Sequence, residues 1–225
     1  DNNTAVGYNS LSAMTVGDRN VAVGVGTLAS ANVTSNADTY NTAVGFDAGN
    51  DITTGIQNTL IGALAGDALE DADYNVAVGY AALTTDTLGS RSIAIGYEAL
   101  ENQNFTSATN SYNVAMGYNA GKNVTTGVQN TLIGGLAGDA ITTGNYNVGV
   151  GYLSLSANTT GASNTAIGNY ALTANTTAND NTAVGNAALK DNTTGASNVA
   201  VGRITLNANT TGSYNSAVGY SSLGA

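Results

Sequence analysis

One glycine returns thirteen times along this chain, at Gly7, Gly24, Gly45, Gly62, Gly79, Gly96, Gly117, Gly134, Gly151, Gly168, Gly185, Gly202 and Gly219. Ten of the twelve intervals are 17 residues and two are 21. A fixed period of this length is the mark of a solenoid, in which each repeat is one structural unit that buries its apolar side against its neighbours. Only 9% of residues are charged and there are 29 glycines, a composition that also suits disorder. Disorder does not place a branched or long apolar residue before the same glycine thirteen times, so it is excluded.

With that glycine as position zero, the columns are sharp. Position −4 is Asn in twelve repeats, with Ser92 the exception, and position −1 is always Val, Ile or Met. Position −3 is Thr, Val, Ile or Ser, and position −2 is small except at Leu60 and Leu132. Period two over this stretch predicts a short strand with −3 and −1 on one face and −2 on the other. Asn3, Val6 and Gly7 open the series, and Asn181, Val184, Gly185, Leu189 and Gly195 represent it in full. Position +4 is Leu in nine repeats and Gly in four. Eight of the ten 17-residue coils carry glycine again at +10, which predicts a positive-φ corner there.

Each coil therefore reads as strand, bend, short apolar segment, corner and return. The fold class is all-β, a parallel β-roll or β-solenoid of thirteen coils, with residues 1–225 forming one array in a longer fibre or filament. Coils stacked at about 4.8 Å would span about 60 Å. The Asn column predicts a ladder of side-chain amides and Val at −1 is expected to be buried. Leu at +4 and the branched residue at −1 exceed what one thin interior holds, so one set should face another subunit and the chain is expected to self-associate.

A longer repeat lies on the short one. Residues 45–80 match residues 117–152 at 23 of 36 positions, and each block follows a 21-residue coil. The extra residues fall in Ala31–Tyr40 and Glu101–Tyr112, polar stretches expected to bulge outward and to carry any local function.

The chain has no His or Cys, which removes the usual nucleophile–base pairs and thiolate or imidazole zinc sites; no cofactor and no enzymatic activity are expected. The densest acidic group, Asp67, Glu70, Asp71 and Asp73, is a calcium candidate weighed against a solvated loop, the favoured reading. Net charge is −10 and the five basic residues are scattered, which argues against nucleic acid. No apolar run is long enough for membrane insertion. Asn158, Asn175, Asn192 and Asn209 stand in sequons 17 residues apart and are either a glycan column or turn residues; the turn reading is favoured. Tyr8, Tyr80, Tyr97, Tyr118, Tyr152 and Tyr220 follow repeat glycines and either contact carbohydrate or cover the bend.

Ser92–Gly96 (Ser-Ile-Ala-Ile-Gly) and Asn198–Gly202 (Asn-Val-Ala-Val-Gly) resemble the head repeats of trimeric autotransporter adhesins. The longer pattern Asn181–Gly195 resembles the Asn-Thr-Ala-Val-Gly-Tyr repeats of bacterial and phage tail-fibre-like proteins. The resemblance covers the whole chain. It implies a left-handed parallel β-roll wound as a homotrimer, in an extracellular shaft or adhesive head on a cell surface or virion, with a cell-surface glycan or protein receptor as partner. Coils here are longer than the usual adhesin coil. The alternative is an ice-binding solenoid, for which the adjacent pairs Thr159-Thr160 and Thr176-Thr177 are poorly placed, since neighbouring residues of a strand face opposite ways.

Overall fold

The computed structural model describes residues 2–34 and 37–223, and its architecture follows from how closely one coil sits on the next. At each repeat glycine the backbone takes a φ between 121° and 142°, a region that favours glycine. A Cβ on Gly185 would also lie 2.5 Å from the carbonyl oxygen of Gly202 in the following coil. The glycine therefore serves both the bend and the stacking.

Among the described residues there is no helix; every named element is a β-strand. The chain forms two compact units, Asp1–Asn113 and Val114–Ala225. In the first, strands β1 (Thr4–Val6), β2 (Val21–Val23), β3 (Thr42–Val44), β4 (Thr59–Ile61), β5 (Val76–Val78) and β7 (Ile93–Ile95) pair in parallel, each with the next. In the second, β9 (Val114–Met116), β10 (Thr131–Ile133), β11 (Val148–Val150), β12 (Thr165–Ile167), β13 (Thr182–Val184), β14 (Val199–Val201) and β15 (Ser216–Val218) do the same. Register is in phase with the repeat: Thr182 lies beside Val199 and Val184 beside Val201. This is a parallel β-solenoid of thirteen coils, six in one unit and seven in the other.

The return half of each coil is built from left-handed residues rather than from strand. Positions −5, +2 and +4 have φ between 48° and 64° at nearly every repeat, including Tyr74, Ala187 and Leu189. A non-glycine residue there costs about 1–3 kcal/mol. Burying a leucine side chain returns about 1.5–3 kcal/mol, so Leu83, Leu155 and Leu189, all fully buried, roughly offset their own strain. What tips the balance is that the return half is also hydrogen-bonded from coil to coil, as in Leu172 N–H to Ala188 O at 3.1 Å and Leu189 N–H to Thr205 O at 3.0 Å.

The expected corner at +10 is different in kind. Gly55, Gly127 and Gly144 have no positive φ; a Cβ there would stand 2.4 to 2.5 Å from a carbonyl oxygen of the next coil. Close stacking, not a left-handed bend, selects glycine at +10.

Core volume is conserved between columns. Where −2 is Leu, +4 is Gly in that coil and in the preceding one. A Cβ on Gly49 or Gly66 would meet the Leu60 methyls at 2.6 or 2.8 Å, and one on Gly138 would meet a Leu132 methyl at 2.6 Å. In the same coils the +7 residue becomes apolar and fully buried, at Ile52, Leu69, Val124 and Ile141. The 72-residue repeat thus carries a second solution to filling the same interior.

Gly185→Ala should destabilise by on the order of 3 kcal/mol, through its φ and its contact with Gly202. Gly135→Ala, whose Cβ would meet only the Tyr152 ring at 3.6 Å, should be near neutral. Urea midpoints of the two variants check the contrast.

Candidate functional site

The asparagine ladder is present and closes each coil as well as joining coils. Asn164 Oδ1 accepts from the Asn181 N–H at 3.0 Å, and Asn181 Nδ2 donates across its own coil to Gly195 O at 2.9 Å. Asn181 Oδ1 in turn accepts from Asn198 N–H at 3.0 Å and Asn198 Nδ2 at 3.1 Å. These amides are fully buried with every group used, and a buried polar group left unpaired costs about 1–3 kcal/mol.

A second ladder stands at +7, on the residues read as turn or glycan asparagines. Asn175 Nδ2 donates to Asn158 Oδ1 at 3.0 Å, Asn192 to Asn175 at 3.2 Å and Asn209 to Asn192 at 2.9 Å. Asn158, Asn175 and Asn192 are fully buried, so the folded coil leaves their amides no room for a glycan. The glycan alternative has no room in the folded coil, whereas the turn reading fits: Asn158 Nδ2 donates to Gly161 O at 2.9 Å and Asn192 Nδ2 to Gly195 O at 2.8 Å, three residues on, so the column both closes its turn and forms a ladder.

The acidic group does not converge. Asp67 accepts from the Thr84 hydroxyl, Asp71 from Thr54 Oγ1 at 2.6 Å, and Asp73 from Ile56 N–H at 2.8 Å. Glu70 uses its main-chain carbonyl to accept from Thr53 N–H at 3.0 Å. Among the described residues no three acidic side chains gather where a metal ion could sit, which overturns the calcium candidate.

The insertions also differ from expectation. Instead of bulging throughout, they tuck Val33 and Phe105 inside. Strand β8 (Thr109–Asn110) pairs in parallel with β6 (Gly89–Ser90), and Asp38 forms the matching bridge to Asp18. In the second insertion Thr106, Ser107, Ala108, Asn110 and Tyr112 are exposed; Ser35 and Asn36 of the first lie outside the described residues.

Beneath the second insertion lies a polar network that sequence reasoning missed. The fully buried Asp86 carboxylate accepts from Phe105 N–H at 3.0 Å, Gly89 N–H at 3.1 Å and Gln103 Nε2 at 2.6 Å. Gln103 Nε2 also reaches Ser92 Oγ at 2.7 Å, and Ser92 Oγ meets Ser111 Oγ at 2.5 Å. Ser92 breaks the asparagine column because these groups occupy its place. Desolvation raises the Asp86 pKa above its ordinary value, against the lowering effect of its hydrogen bonds.

The outward surface of the sheet is the candidate site. Ala at −2 is buried, whereas −1 faces solvent: Ile61 is 41% exposed, Ile133 37% and Ile167 41%. The expectation that Val at −1 is buried is therefore wrong for the single chain; the interior is filled by −2, +3, +4 and +7. No Asp, Glu, Lys or Arg occurs at −4 to 0 in any repeat. Tyrosines border this stripe on both sides, with Tyr80 and Tyr97 stacked at 5.4 Å in the +1 column and Tyr40, Tyr74, Tyr112, Tyr146 and Tyr214 exposed in the −5 column. No pocket opens among the described residues, and they contain no helix long and apolar enough to cross a membrane. Comparison with protein-family models, curated proteins and solved structures gives no match.

Because the Asp86 pKa is raised, its contribution is fully present below the ordinary carboxylate range and is lost as pH rises through the folded value. Relative to Asp86→Asn, the melting temperature of the native chain should therefore fall as pH is raised from about 3 to neutrality. Parallel thermal melts across that range check it.

Proposed function

We propose that the chain is a non-catalytic structural segment of an extracellular fibre, a shaft or adhesive head on a cell surface or virion, and that copies associate through the uncharged sheet face. The observation that carries this reading is the stripe itself: rows of half-exposed Val, Ile and Thr without one charge, on a chain of net charge −10. An acidic chain repels its own copies wherever its carboxylates meet, and a neutral apolar stripe is the surface on which two copies approach without that cost. Each coil offers roughly 80 Å² of stripe, from a 4.8 Å rise and five extended residues, so one unit alone offers on the order of 500 Å² against the roughly 800 Å² per partner of a stable interface, and the stripes of both units are needed to reach it. The threefold arrangement comes from the resemblance to adhesin heads.

Coil-to-coil hydrogen bonding on both halves of the roll within each unit supports a load-bearing role. Ice binding is supported by the regular outward rows of Thr and Val, but the +8 threonines work against it. Thr159 Oγ1 donates to Thr176 O at 3.1 Å and Thr176 Oγ1 to Thr193 O at 3.2 Å, leaving one outward threonine of each pair.

Sedimentation should show an oligomer, and Ile167→Lys with Val201→Lys should dissociate it while the far-ultraviolet spectrum stays unchanged. A native chain that sediments as a monomer from micromolar to millimolar concentration would refute self-association. Thermal hysteresis would favour the ice-binding reading.

A further inference from the structure

The 72-residue repeat places two arginines in equivalent settings with opposite surroundings. Arg19 and Arg91 both occupy position −5, each followed one coil later by a tyrosine in the same column, Tyr40 and Tyr112. Each guanidinium lies over tyrosine: Arg19 is 5.5 Å from the Tyr40 ring centre, and Arg91 is 4.9 Å from Tyr74 and 6.0 Å from Tyr112. Each donates to the residue two before that second tyrosine, Asp38 for Arg19 and Asn110 for Arg91.

In the first setting the acceptor is a carboxylate, and a second one, Asp18, bridges Asp38 along the backbone. In the second setting both positions are neutral, Ser90 and Asn110. The first copy shows that this guanidinium takes a carboxylate. In the second copy the amide of Asn110 fills one hydrogen-bonding position and leaves the positive charge without a carboxylate within ion-pair reach among the described residues. Arg91 is held between two rings, exposed, and already ordered, so little side-chain entropy is lost when an anion arrives.

We propose that Arg91, flanked by Tyr74 and Tyr112, is a binding site for a carboxylate carried on a sugar ring, as in a uronic-acid polysaccharide. The carboxylate pairs with the guanidinium, and the two tyrosines, 40% and 51% accessible, take the apolar C–H side of the sugar. An acidic peptide fits less well: the adjoining backbone of Gly89–Ser90 is already paired with Thr109–Asn110, and no pocket receives a side chain. The site names a ligand class for the adhesive half of the proposed function and rests on that half. It lies in the −5 column rather than on the −3 and −1 stripe, so failure of self-association and failure of sugar binding are read separately.

The test is titration calorimetry of the full chain with oligogalacturonate, with its methyl ester as the uncharged control and oligoglutamate as the peptide control. The acid sugar should bind and both controls should not. Arg91→Gln should weaken binding about tenfold, the scale of one hydrogen bond to a charged group. Asn110→Asp, which rebuilds the ion pair of the first copy, should weaken it comparably while the melting temperature holds or rises. Equal binding of acid and ester, tighter binding of oligoglutamate, or an Asn110→Asp variant that binds like the native chain would each overturn the site.

Discussion

The distance between successive coils is the constraint on which everything else depends. Parallel strands pair at about 4.8 Å, and every column must then be compatible with a copy of itself at that separation. At positions zero and +10 the neighbouring carbonyl lies where a Cβ would be, so glycine is favoured. At −4, and again at +7, asparagine meets asparagine, and an amide is suited to that because it carries donor and acceptor on one group. A carboxylate column would repel itself and an alkyl column would leave the backbone groups of Asn181 and Asn198 without partners. Ladder and glycine columns are two answers to one spacing.

That spacing also explains how the roll holds residues in costly conformations. Three left-handed positions per coil would be prohibitive in an isolated turn. Here most are held by a hydrogen bond to the coil above or below, and the strained Leu189 is also packed against its own column. Strain and burial nearly cancel, and the coil-to-coil bonds set the sign. The Leu60 and Leu132 coils show that the interior tolerates a different distribution of volume provided the sum is kept, with glycine at Gly49, Gly66, Gly121 and Gly138 giving way to the larger residue at −2.

The outside of the roll is organised by charge as much as by shape. Acidic groups lie on the turns, while the strand face is neutral and bordered by tyrosine. The same separation makes the Arg91 setting distinct, since there the local acids of the first copy have been replaced by Ser90 and Asn110. The two proposals fall on separate surfaces: self-association on the stripe, ligand binding on the −5 column.

The period and the columns determined the coil, its strand, the parallel register and the asparagine ladder, because a repeat stacked on itself makes each column its own neighbour. The second ladder has the same 17-residue spacing, at Asn158, Asn175, Asn192 and Asn209, but the sequence alone does not place those amides inside. The Asn-Thr-Thr-Gly letters predict the turn these residues close, and only the stacked coils show that their amides also meet one another. Only the tertiary structure decided which side of the strand is inside. Period two separates −3 and −1 from −2 but does not say which set is buried, and Leu at +4 filled the interior first. It likewise decided the fate of the insertions and of Asp86, whose partners Phe105 and Gln103 lie 19 and 17 residues away in sequence and meet it only when one coil lies on the next.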